Sequence, residues 1–122
     1  MTNITPDDYR ELVASRPEPP PVAGREDVTP ALLEWLTCDC PRGFAQGRQD
    51  AYDLVQQRDA FGRAKYGTGL QTHNGRDPIE DARQEFGDLL QYVHQAKMEG
   101  RDLTPIRRLI PVLSAMMAEP SI

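Results

Sequence analysis

The sequence is poor in cysteine, histidine and tryptophan, with two, two and one of each, and aromatic residues make up only 7% of it. Cys38 and Cys40 stand in a C-D-C-P run. They are too close together for a disulfide of ordinary geometry and too few for a disulfide framework. Taken with His73 and His94 they match none of the common Cys/His zinc spacings, so two reduced thiols at a helix end are expected. No apolar run exceeds a few residues, which leaves no candidate transmembrane helix. The opening MTNITPDDYRELV has neither a basic segment nor an apolar one, so no signal peptide is expected and the cytoplasm is the expected location. Sustained period-two alternation is missing as well, and Asn74-Gly75 lies between helical segments rather than between β-branched runs. There is no internal repeat of the kind that builds solenoids. At 122 residues the chain suits one modest core and is too short for a fold of TIM-barrel size. Lys and Arg number 14 and Asp and Glu 19, so the net charge is 14 − 19 = −5, which argues against a nucleic-acid partner.

What is abundant is proline, with 11 residues, five of them between 17 and 30. That stretch cannot form a helix interior or a central strand and reads as an extended arm. Before it, residues 6–15 read as a short helix with Tyr9, Leu12 and Val13 on one face. Residues 1–28 are therefore expected to be a helix and proline-rich arm, and residues 29–122 a helical domain. In the domain, Thr29 and Pro30 form an N-cap and N1 pair for a short apolar helix that carries Trp35 and ends before Pro41. A helical segment spans 43–66, with Gly47 and Gly62 near its ends, and 67–76 is a glycine-rich loop. Asp77, Pro78 and Glu80 then mark a strong helix start. Ile79, Ala82, Phe86, Leu89, Val93 and Ala96 follow at steps of 3, 4, 3, 4 and 3, a bundle-type seam, and Gly100 is the expected C′ residue. A last helix runs from Thr104-Pro105 to about Ala118, kinked or interrupted at Pro111. The fold class is all-α. Ile, Leu and Met in the final helix suggest burial against another subunit.

Chemistry concentrates in carboxylates. Asp81, Glu85, Asp88 and Tyr92 fall within an arc of roughly 60° beside the seam. Carboxylates so close repel one another unless a cation neutralises them, and hard oxygen donors suit Mg²⁺ or Mn²⁺. A charged solvent face is the other reading. Asp50 and Asp53 lie one turn apart on the preceding helix, and two antiparallel helices would turn both pairs into one site. Lys65 and Arg76 flank the glycine-rich loop and suit phosphate oxygens or plain surface charge. Asn74 and His73 suit a base or sugar edge, or, for Asn74, a left-handed turn position. Trp35 suits a base stack, the core or an interface, and His94 beside the seam reads as a packing residue.

Gln84-Glu85-Phe86-Gly87-Asp88-Leu89-Leu90, followed by Val93, His94 and Ala96, resembles the E-E-L-G-D-L-L segment of MazG-type nucleoside triphosphate pyrophosphohydrolases. That family carries E-E-x-x-E on one helix and E-x-x-D on the next. Glu85 and Asp88 match the second part, and Gln49-Asp50-Ala51-Tyr52-Asp53 resembles E-E-A-Y-E with Gln and Asp at the Glu positions. Lys65-Tyr66-Gly67-Thr68 through Asn74-Gly75-Arg76-Asp77 is similar to small stand-alone members common in bacteriophages. The resemblance covers about residues 44–100. It implies a short helical bundle whose core is completed by oligomerisation, as a homodimer or homotetramer. It also implies Mg²⁺-dependent hydrolysis of a (d)NTP to monophosphate and pyrophosphate, with Mn²⁺ as a substitute metal. A deoxypurine triphosphate is the expected substrate, dGTP ahead of dATP. Asp50, Asp53, Glu85 and Asp88 would hold metal, with Asp53, Glu85 and Asp88 catalytic. Lys65, Asn74, Arg76 and Tyr92 would contact substrate. A phage-encoded protein would act in the host cytoplasm. The rival expectation is a non-catalytic helical oligomerisation or partner-binding module with the proline arm as its docking segment.

Overall fold

The computed structural model describes residues 21–37 and 44–120. Their regular structure is helical: α1 (Val28–Thr37), α2 (Ala45–Tyr66), α3 (Pro78–Met98), α4 (Thr104–Arg107) and α5 (Ile110–Ala118). The described residues are thus all-α, with no strand among them and an isolated antiparallel bridge between Asp27 and Gln71. The helix expected at 6–15, the first part of the proline arm and the Cys38 and Cys40 thiols lie outside the described residues.

α1 begins two residues earlier than its Thr-Pro signal predicts. Thr29 is not its cap. The Val28 N–H donates to the Leu70 carbonyl at 2.9 Å, and the Thr29 hydroxyl donates across to Asp59 Oδ1 of α2 at 3.0 Å. A hydroxyl that serves an interhelical bond is no longer available to the helix end. α2 follows Phe44, whose backbone is left-handed at φ 58°, and it stops at Gly67, whose N–H donates to the Arg63 carbonyl. Gly47 does not mark an end. It is buried in the first turn of α2, where a β-carbon would collide with the Arg108 carbonyl.

α3 has the boundaries that its local signals predict. The Asp77 side chain accepts from the Ile79 and Glu80 N–H groups at 2.9 and 3.3 Å. At the other end Gly100 is left-handed at φ 69°. Its N–H donates to Lys97 O, and Arg101 N–H donates to Ala96 O, the paired bonds of a Schellman motif. After it, Pro111 interrupts rather than kinks: α4 ends at Arg107 and α5 starts at Ile110, with Pro111 in its first turn.

α1 packs against α2, and α5 packs against α2 and α4. Leu36 and Val112 are the buried hydrophobic residues among those described. Trp35 Nε1 donates to Glu119 Oε2 at 2.8 Å and ties α1 to the residue after α5. Among the described residues no other helix packs on α3. Its seam is open in its first half, where Ile79 and Phe86 are 69 and 52% exposed, and Leu90 beside it is 57% exposed, while Leu89, Val93 and Ala96 are half-buried. No helix of the described residues is long and apolar enough to cross a membrane.

Candidate functional site

The α2 carboxylates are each held by an amide from the preceding turn. Gln46 Nε2 donates to Asp50 Oδ1 at 2.8 Å, and Gln49 Nε2 donates to Asp53 Oδ1 at 3.0 Å. These i, i+4 Gln–Asp pairs follow from helical geometry. Asp50 is half-buried and Asp53 exposed. The Arg108 guanidinium stands 3.9 Å from Asp50 Oδ2, brought there by the close approach at Gly47.

On α3 the acidic arc divides into two parts. Asp81 is taken by Arg76, whose Nη2 and Nε donate to Oδ1 and Oδ2 at 2.9 and 3.1 Å, a two-pronged charged pair. Glu85 and Asp88 are exposed and have no side-chain partner among the described residues. Tyr92, 68% exposed, continues their line along the helix. Arg76 therefore offsets the like-charge repulsion at one end of the arc and leaves Glu85 and Asp88 as its unneutralised part.

The two helices do not turn these pairs into one site. α2 and α3 are not packed on each other, and among the described residues no three His, Cys, Asp or Glu side chains are grouped as a metal set. Within one chain the described structure does not bring Asp50 and Asp53 together with Glu85 and Asp88.

The expected substrate contacts occupy different settings. Lys65 lies in the last turn of α2 with Nζ over the Tyr66 ring, 5.1 Å from its centroid. Asn74 and Arg76 are built into the loop itself. Asn74 Oδ1 accepts from the Arg76 N–H at 3.1 Å, and the Arg76 side chain is committed to Asp81. The left-handed turn positions are His73 at φ 54° and Gly75 at φ 84°, on either side of Asn74.

Several residues that shape this region carried no expectation from sequence. Asp59 accepts from Arg63 Nε at 2.9 Å as well as from Thr29, and Arg63 lies under Gly69 at the start of the loop. The Arg63 donor is the main cause that holds the Asp59 carboxyl below its ordinary value. The i, i+4 spacing of Asp59 and Arg63, and of Gln46–Asp50 and Gln49–Asp53, was the available signal. No local signal marks Gln71, which contacts residues 22–28 from far along the chain.

No protein-family model matches the chain, and neither a curated protein nor a solved structure matches it.

Proposed function

We propose that the chain is a Mg²⁺-dependent nucleoside triphosphate pyrophosphohydrolase of the MazG-like type, acting as a homodimer or homotetramer in the cytoplasm. The observation that carries this reading is the position of Glu85 and Asp88. They form an exposed carboxylate pair one turn apart, at the border of a partly uncovered apolar seam. A helix laid on that seam would leave the pair at the edge of the contact, where a polyanion and its counterions can approach. The resemblance of residues 49–53 and 84–90 to the family's two motifs supports the same reading. Because the α2 and α3 carboxylates of one chain stay apart, the oligomer and not the single chain would assemble them. Water would cleave between the α- and β-phosphorus, giving monophosphate and pyrophosphate. A deoxypurine triphosphate, dGTP ahead of dATP, is proposed on the resemblance alone.

One observation favours a second reading. A partly open seam, with no grouped metal set among the described residues, is also what a helical oligomerisation or partner-binding module would present. Product analysis separates the two. Each common dNTP and NTP is incubated with the protein in Mg²⁺, in Mn²⁺ and in EDTA, and the products are resolved by ion-exchange chromatography. Monophosphate plus pyrophosphate, formed only with metal, is the expected result. Diphosphate plus phosphate, or no turnover of any nucleotide, rejects the hydrolase reading.

A further inference from the structure

Within one chain no other described helix packs on α3, so the contacts made by the loop that leads into it bear directly on its direction relative to α1 and α2. That chain is a loop of ten residues, 67–76, with three glycines, and ordering such a loop costs conformational entropy that contacts must offset. The contacts come from residues 22–28, the end of the proline-rich arm.

The two segments run antiparallel. Val28 N–H donates to Leu70 O at 2.9 Å, Thr72 N–H to Glu26 O at 2.8 Å, Arg25 N–H to Thr72 O at 3.0 Å, and Val22 N–H to Asn74 O at 2.8 Å. Side chains lock the pairing. Gln71 accepts from Gly24 N–H through Oε1 at 2.8 Å and donates to Asp27 Oδ1 through Nε2 at 3.3 Å. The Thr72 hydroxyl oxygen accepts from Glu26 N–H at 3.2 Å. Gly24 is required by this approach: a β-carbon there would collide with the Thr72 carbonyl oxygen and would stand 2.7 Å from Gln71 Cβ.

From the pairing a continuous path leads to α3. Asn74 is its pivot. Its carbonyl accepts from Val22, and its side-chain oxygen accepts from the Arg76 N–H. Arg76 in turn grips Asp81 in the first turn of α3 with two donors. The other end of the loop is anchored on α2, where Gly69 rests on the Arg63 guanidinium.

We propose that residues 22–28 are a strap that sets the direction of α3, acting through Asn74, Arg76 and Asp81. Asn74 and Arg76 are then positioning residues. The proposal does not rest on the hydrolase reading, since it concerns the direction of a helix and its test measures no turnover. If both hold, the strap also determines where Glu85 and Asp88 lie relative to α2.

The test is NMR on the full chain, combining amide hydrogen exchange with residual dipolar couplings of α2 and α3. In the wild type the Arg25, Val28 and Thr72 amides should be protected, and α2 and α3 should share one alignment. Gly24→Val should speed exchange at Thr72 by at least about tenfold and take α3 out of the shared alignment. Trp35 emission, which reports on α1, should stay unchanged. Arg76→Gln should leave Thr72 protected and still release α3, because it cuts the path beyond the strap. If Gly24→Val disturbs Trp35 emission, Gln71→Ala takes its place under the same criteria. The proposal fails if the three wild-type amides exchange freely. It fails if the strap variant leaves Thr72 protection unchanged, or if α3 keeps its alignment in either variant.

Discussion

Gly47 and Arg108 meet main chain to main chain, and the crossing has no room for a β-carbon between them. The same approach brings the Arg108 guanidinium to Asp50 and helps to bury Val112, whose Cγ2 would lie 3.2 Å from such a β-carbon. Gly47→Ala should therefore destabilise the fold even though alanine favours helices. Overpacking costs about 1–3 kcal/mol, against roughly 1 kcal/mol gained in helix propensity. Urea unfolding followed by Trp35 fluorescence checks this. A midpoint equal to or above that of the wild type would show that the crossing is looser than described.

Asp59 makes stability depend on pH in a defined direction. Its carboxyl sits below the ordinary value of 3.8, chiefly because Arg63 donates to it, with the Thr29 hydroxyl adding to the effect and desolvation opposing it. Asp102 shifts the same way, mainly through the Thr104 N–H. A depressed carboxylate binds its proton more readily in the unfolded chain. Its stabilisation is present above the unfolded value and is lost as pH falls through the folded one. Stability should hold near neutrality and decline below about pH 4. In Asp59→Asn the acid decline should be shallower, measured as urea midpoints across that range. An unchanged slope would remove Asp59 from the acid response.

These two sites also show what a linear sequence reveals. The start of α3 was legible because its signals are local: Asp77, Pro78 and Glu80 encode the cap within four residues, and the Asp77 carboxylate accepts from the Ile79 and Glu80 N–H groups. Gly100 and Pro111 were legible for the same reason, a C′ turn and a ring that cannot sit inside a helix. Thr29 misled because an N-cap signal cannot foresee a partner 30 residues away that takes the hydroxyl. The strap was hidden because its bonds join residues far apart in the chain, 47 positions for Gly24 and Gln71, and depend on Gly24 having no side chain. The carboxylates of the candidate site could be listed from their spacing. Their failure to converge could not, because a seam at bundle spacing says that something covers it and not from which chain.

The open seam leads to a prediction about assembly. Ile79, Phe86 and Leu90 are more than half exposed along a helix that carries apolar residues over roughly 26 Å, at about 1.5 Å per residue. Few apolar side chains are buried elsewhere among the described residues, so covering this stripe adds substantially to the core. Sedimentation velocity of the wild type should show a dimer or tetramer. Phe86→Asp places a charge at the centre of the stripe and should shift the boundary to the monomer. A Gln84→Asp control, off the stripe, should sediment as the wild type does. A monomeric wild type would leave the stripe for a partner other than a second copy.

Glu85 is the residue on which the hydrolase reading stands most directly. It is exposed, lacks a side-chain partner among the described residues and has no packing duty, so changing it should not disturb the fold. Glu85→Gln keeps the size and helix propensity of the side chain and removes only the charge. Under the proposed function, turnover should fall at least about 100-fold, the scale seen when one preorganised electrostatic group is removed. Helical circular dichroism, urea midpoint and sedimentation should all match the wild type. Arg76→Lys provides the contrast, since its two-pronged bond to Asp81 is structural and lysine cannot reproduce it. That variant should change how firmly the start of α3 is held, read as amide exchange at Asp81, and should lower turnover less than Glu85→Gln does. Full activity in Glu85→Gln would take the catalytic role away from α3, whatever the metal dependence of the wild type.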